Sequence, residues 1–224
     1  MIVVAGPSAA GKTTLVRQLR RGLLPELASR LDMGDFHLWH YTTGEKDPPP
    51  PDARRIFLDY NASLYYRQGR PYEEDERLDV VKQAQRVWFV TVWTPPARLG
   101  RQYLADHLRR AHPVGYKVMQ RLGYALPGGT RQRMTAGLLD AALRSRHRGW
   151  LLGSYREPFA RQFANLYADP LKVIRLYRNW LAFCSLHQGR TVDSLVVQFY
   201  RRLEIQTPDE WQRATRASVP QESS

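Results

Sequence analysis

The 224-residue chain has a single cysteine, Cys184, so no disulfide can form within it. One thiol suits a reducing compartment, and the cytoplasm is the expected location. Cys184 lies in the apolar run Trp180-Leu181-Ala182-Phe183-Cys184, which reads it as a buried packing residue and not a nucleophile. Long hydrophobic runs are missing. None approaches the roughly 18 residues that a membrane span needs, so no membrane partner is expected. The first residues carry no basic stretch ahead of a long apolar one, which argues against a secretory signal. No internal repeat or low-complexity tract interrupts the chain.

Lysine and acid are also scarce. There are 5 Lys against 29 Arg, and the formal net charge is +13. Between residues 98 and 161, 13 basic residues face only three acids, Asp106, Asp140 and Glu157. Three readings of this excess compete: a compositional bias on a solvated face, recognition of phosphates or an anionic substrate by the planar guanidinium, and nucleic-acid binding. No recognisable nucleic-acid module accompanies the charge, so nucleic acid is the least favoured partner.

What is present begins at the N-terminus. Met1-Ile2-Val3-Val4-Ala5 is a short apolar run suited to a buried parallel strand. Gly6-Pro7-Ser8-Ala9-Ala10-Gly11-Lys12-Thr13 follows and meets G-x-x-x-x-G-K-[ST] at every fixed position. Thr14 to Arg20 then reads as a helix with Leu15, Val16 and Leu19 on its apolar face, ending near Gly22. Gly6 and Gly11 let the backbone curl so that successive N–H groups face one anion, and the helix adds its positive end. The expected phosphate contacts are Gly6, Ser8, Ala9, Ala10, Gly11, Lys12, Thr13 and Thr14. Lys12 is placed to reach the β- and γ-phosphates, and Thr13 to ligate Mg²⁺.

The length suits one domain over residues 1–224 with a helical insertion. A second strand is expected within Asp32–Tyr41, and a loop stiffened by Pro48 to Pro51 follows it. Ala53 to Gln68 reads as an aromatic-rich helix, and Glu76 to Gln85 as a shorter one. Arg86 to Trp93 is a near-continuous apolar strand suited to the centre of a sheet. A helix is expected over 97–111. Residues 112–190 read as mostly helical, a lid or substrate region carrying much of the Arg excess. Within it, Asp169-Pro170 caps a helix from Leu171 to His187. A late strand at 194–199 and a last helix from Pro208 complete the reading. The fold class is α/β, a three-layer sandwich with a mostly parallel central sheet and an Arg-rich helical lid or insertion.

The loop and its placement resemble the P-loop NTPase superfamily. Gly6 to Thr14 is particularly similar to the loop of guanylate kinases, and the chain's size resembles that of small P-loop kinases. The strong similarity covers about the first 20 residues. Leu31-Asp32-Met33-Gly34-Asp35-Phe36-His37 resembles the region in which gluconate kinases and chloramphenicol phosphotransferases place an aspartate against the acceptor hydroxyl. That resemblance makes Asp35 the expected catalytic base beside Lys12, with Asp32 the second choice. His40 and Tyr41 are candidates for the acceptor pocket. The lid of such kinases supplies arginines to the transferred phosphoryl group, and Arg131, Arg133 and Arg156 are candidates here.

A Walker-B aspartate does not close the strand ending at Trp93, which reads Thr94-Pro95-Pro96 instead. Asp59 and Asp79 remain open for the second Mg²⁺ contact. Small P-loop kinases, which the chain resembles, often lack a textual Walker B as well, so the resemblance implies a kinase over a motor. The expected reaction is ATP-dependent phosphoryl transfer to a hydroxyl of a small, sugar-like or antibiotic-like molecule, with Mg²⁺ as cofactor and GTP as an alternative donor. The alternatives are a nucleoside monophosphate kinase and a P-loop ATPase or switch that binds a polyanionic macromolecule.

Overall fold

The computed structural model describes residues 1–33, 37–40, 56–63, 66, 69–100, 102–103, 166–167, 169–186, 192–198 and 202–217, with 37–40, 82 and 83 described by their backbone. Among the described residues, six strands form one sheet: β1 (Ile2–Gly6), β2 (His37–His40), β3 (Ile56–Asn61), β4 (Val87–Val92), β5 (Val192–Gln198) and β6 (Glu204–Gln206). Their spatial order is β2-β3-β1-β4-β5-β6. The first five run parallel, and β6 turns back antiparallel on β5. The chain is therefore α/β with a mostly parallel sheet.

Every residue of β1 is buried, as its unbroken apolar run predicts for a central parallel strand. Helix α1 (Lys12–Arg20) follows it and buries Leu15, Val16 and Leu19, the expected apolar face. The turn at Gly22 closes this helix, with the Leu23 N–H donating to the Gln18 carbonyl at 3.0 Å. Helices α2 (Pro25–Arg30) and α3 (Asp79–Gln83) are short. Helix α4 (Pro170–Leu186) starts on the expected cap: Asp169 Oδ1 accepts from the Leu171 N–H at 2.9 Å. Helix α5 (Pro208–Ala217) begins with a reciprocal cap in which Thr207 Oγ1 accepts from the Glu210 N–H and Glu210 Oε2 accepts from the Thr207 N–H.

One expected element differs. Ala53 to Gln68 is not one helix, because Ile56–Asn61 is strand β3, paired with β1 on one side and β2 on the other. Phe57, Leu58, Asp59 and Tyr60 are buried on both faces of the sheet. A strand covered on both faces shows no alternation, so its apolar run resembles a buried helix. Helical backbone appears at residues 63 and 66.

The chain divides into two compact units, Met1–Thr94 with Ile174–Ser224, and Pro95–Val173. In the first, an aromatic cluster joins the sheet to α4. Trp180 stacks on Tyr60 with centroids 5.0 Å apart and meets Tyr72 and Phe89 edge-on. Its Nε1–H donates to Thr91 Oγ1 at 3.0 Å. The stripe of α4 is thus core packing, as its helical spacing implies, and Cys184 is fully buried within it. In the second unit, residues 96–100 are helical, and Tyr103 meets Tyr167 edge-on. Most of the expected lid, 112–190, falls outside the described residues. Among the described residues, no helix is long and apolar enough to cross a membrane.

Candidate phosphate site

Strand β1 ends in the glycine loop, and the sheet order makes that end a natural crevice. From β1 the chain moves toward β2 at one edge, whereas β4, its neighbour, continues toward β5 on the other side. Adjacent strands whose continuations part in this way leave a gap at their carboxyl ends, where ligands of open α/β sheets bind.

The loop has the conformation its glycines foretell. Gly11 caps α1 with φ 98° and ψ 15°, a left-handed geometry that side chains disfavour. Ala9 is also left-handed, at φ 65°. A Cβ on Gly6 would stand 3.0 Å from the Val92 carbonyl oxygen and 3.4 Å from the Ala10 Cβ, so the Val92 backbone would have to give way to admit one. The Ala10 N–H closes the loop onto the Pro7 carbonyl at 3.2 Å. The first N–H groups of any helix lack intrahelical acceptors, so the start of α1 offers donors to an anion.

Lys12 is 9% exposed, and its ammonium is held by three oxygen atoms. It donates to the carbonyls of Gly6 and Pro7, each at 3.1 Å, and lies 3.8 Å from Asp59 Oδ1. Burial pushes its pKa below the ordinary lysine value of 10.5, and the Asp59 carboxylate opposes that shift. Thr13 Oγ1 lies 3.5 Å from Asp59 Oδ2. Asp59 therefore faces both functional side chains at the start of α1. Of the two aspartates that the sequence leaves open, Asp59 faces Thr13, while Asp79 opens α3. The Asp59 and Thr13 oxygens are hard donors of the kind Mg²⁺ takes together with phosphate oxygens, so the pair fits that ion.

Strand β3 supports the loop by a second route. The Ala62 N–H donates to the Gly6 carbonyl, and the Ser8 N–H donates to Ser63 Oγ at 3.4 Å. Ser63 Oγ in turn donates to Asn61 Oδ1 at 2.6 Å. Nearby, Tyr60 donates its hydroxyl to the buried Asp75 carboxylate at 2.7 Å, and Arg77 pairs with the same carboxylate. These contacts brace the segment after β3, and the ladders of β3 with β1 and β2 set Asp59 level with Val4 and His40.

Ser8, Ala9, Ala10, Gly11, Lys12, Thr13 and Thr14 all stand at the expected loop and helix start, with Thr13 and Thr14 exposed. His40 closes β2 in register with Asp59. Asp35, Tyr41, Arg131, Arg133 and Arg156 lie outside the described residues. Sequence reasoning missed Thr94 and Tyr177. Thr94 Oγ1 donates to the Ala10 carbonyl at 2.9 Å, and Tyr177 binds the end of β4. No local motif marks either residue, and their partners are 84 and 85 positions away. Comparison of the chain with protein-family models, with curated proteins and with solved structures returned no match.

Proposed function

We propose that the chain is a P-loop kinase with a three-layer α/β core and an Arg-rich lid, moving a phosphoryl group from ATP to a hydroxyl of a small molecule. The observation that supports this most is the grouping of Lys12, Thr13 and Asp59 beneath the glycine loop. A triphosphate set on the loop would take donors from the helix start and the Lys12 ammonium. Thr13 and Asp59 would hold Mg²⁺, which would supply positive charge against the phosphates. Lys12, already desolvated, interacts strongly with an anion because little water remains to screen it. Asp35 is the proposed base for the acceptor hydroxyl, with His40 and Tyr41 beside the acceptor and Arg131, Arg133 or Arg156 on the transferred group. GTP is an alternative donor, because a phosphate loop contacts phosphates and not bases.

A second reading has its own support. Asp59 stands beside Thr13, and a P-loop motor or switch would use an aspartate so placed as a kinase would. Together with the net charge of +13, this keeps open a P-loop ATPase or switch acting on a polyanion. The test is ADP release from ATP and Mg²⁺ against alcohols, sugars, aminoglycosides, nucleoside monophosphates and polyanions. Transfer to a small hydroxyl compound is the expected outcome. Transfer only to a nucleotide selects a nucleoside monophosphate kinase, and hydrolysis stimulated by polyanions, steeply salt-dependent, selects the switch. Lys12→Ala should abolish turnover in each case.

A further inference from the structure

The end of β4 contains an unusual substitution of a side chain for a strand. The Trp88 N–H donates to the Met1 carbonyl, which sets the phase of the ladder between β4 and β1. With Ile2 level with Trp88 and Val4 level with Val90, that phase would have residue 7 donate an N–H to the Val92 carbonyl and accept from the Thr94 N–H. Residue 7 is Pro7, which has no N–H. Its carbonyl accepts instead from Lys12 and from Ala10. The Tyr177 hydroxyl takes both places: it donates to the Val92 carbonyl at 2.9 Å and accepts from the Thr94 N–H at 3.2 Å. Tyr177 and Thr94 are both buried.

Thr94, fixed in this way, donates its hydroxyl to the Ala10 carbonyl at 2.9 Å. A peptide unit is rigid and planar, with its C=O and the next N–H pointing in opposite directions. Holding the Ala10 carbonyl toward Thr94 therefore aims the Gly11 N–H the other way, at the head of α1. Gly11 has left-handed angles, and glycine offers little steric resistance to rotation of that peptide. The orientation of this donor thus depends on a partner outside the loop.

We propose that Thr94 and Tyr177 are positioning residues that set the Ala10–Gly11 peptide for phosphate binding. This rests on the nucleotide reading above. It assigns to α4 a part in the phosphate site through one hydroxyl, although α4 contributes no residue to the glycine motif.

The experiment measures ATP–Mg²⁺ affinity by calorimetry, and unfolding midpoints in urea, for wild type, Thr94→Val, Thr94→Ser and Tyr177→Phe. Thr94→Val keeps the shape and removes the hydroxyl. It should bind about 5- to 30-fold more weakly, the range expected for losing one buried hydrogen bond. Thr94→Ser should stay within about threefold of wild type, because it keeps the donor. Tyr177→Phe should weaken binding in the same direction. If Thr94→Val does not fold, Thr94→Ala makes the same deletion without added apolar bulk. Wild-type affinity in a folded Thr94→Val or Thr94→Ala protein overturns the proposal and leaves Thr94 a stability contact. Equal weakening in Thr94→Ser also overturns it, since the methyl group and not the hydroxyl would then matter. Absence of ATP binding by wild type instead overturns the nucleotide reading and the proposal together.

Discussion

Asp59 Oδ2 lies 3.5 Å from Thr13 Oγ1, although 46 residues separate them in the chain. The parallel pairing of β3 with β1 brings them together, with Asp59 level with Val4. Asp59 thus reaches under the loop that β1 feeds. Asp59→Asn should lower Mg²⁺-dependent turnover by about 10²- to 10³-fold, the range for removing one preorganised electrostatic contact. Asp79→Asn should stay within a few-fold of wild type. Steady-state rates across a Mg²⁺ titration check both expectations, and equal losses in the two variants would contradict the assignment.

Lys12 makes the second prediction, in pH. Its folded pKa is lowered, mainly by burial. Between that lowered value and 10.5 the unfolded chain binds more protons than the native one, so stability rises with pH over this window. Below it, the buried charge destabilises the fold in full. Phosphate affinity should move oppositely, falling with rising pH earlier than an ordinary lysine would dictate. Lys12→Met should therefore abolish ATP binding and flatten the alkaline rise in stability, and at pH 7 it should also lower the urea midpoint, because it removes the cation that faces the buried Asp59 carboxylate. An alkaline rise as steep as that of wild type would refute this sign.

Gly6 and Gly11 should fail differently when changed to alanine. At Gly6 the added Cβ meets backbone, the Val92 carbonyl oxygen at 3.0 Å, which cannot swing aside as a flexible side chain could. Gly6→Ala should cost about 1–3 kcal/mol by overpacking, read as a lower urea midpoint. Gly11→Ala meets the left-handed penalty of about 1–2 kcal/mol and should lose ATP affinity through the altered helix start. Gly6, at φ 154°, adds backbone strain to the crowding, so denaturation curves should show Gly6→Ala as the less stable of the pair.

Cys184 should be chemically quiet. It is fully buried, and burial pushes its thiol pKa well above the ordinary range. A disulfide reagent at pH 8 should label it slowly in native protein and rapidly in urea. Fast labelling of the native protein would show that α4 is not packed as described.

Trp180 tests the same packing energetically. It is fully buried among Tyr60, Tyr72, Phe89 and Phe183. Trp180→Ala should destabilise by about 3–5 kcal/mol. Trp180→Phe should cost less, yet leave the Thr91 hydroxyl without its indole donor. Chemical denaturation of both variants checks the order.

The first twenty residues were legible because strand, loop and helix are contiguous, and each states its needs locally. Ile2 to Gly6 is apolar throughout, Gly6 and Gly11 stand where the backbone demands them, and Leu15, Val16 and Leu19 recur at helical spacing. The 170–186 helix was legible for the same reason, with Asp169 at its start. Ile56–Asn61 was misread because burial on both faces erases the alternation that marks a strand. Its identity comes from β1 and β2 on either side, and no short window of sequence contains them.

The same division runs through the site. Residues 6–14 alone determined a tightly curled glycine loop at a helix start, since its curvature, donors and lysine are contiguous in the chain. Only the tertiary structure decided that Asp59 and not Asp79 faces Thr13, and that Thr94 and Tyr177 brace the loop from β4. Each of these is a contact between strands or helices remote in sequence. Parallel pairing creates such contacts by aligning the carboxyl ends of distant segments, and Pro7, by withholding one N–H, created the place that Tyr177 fills.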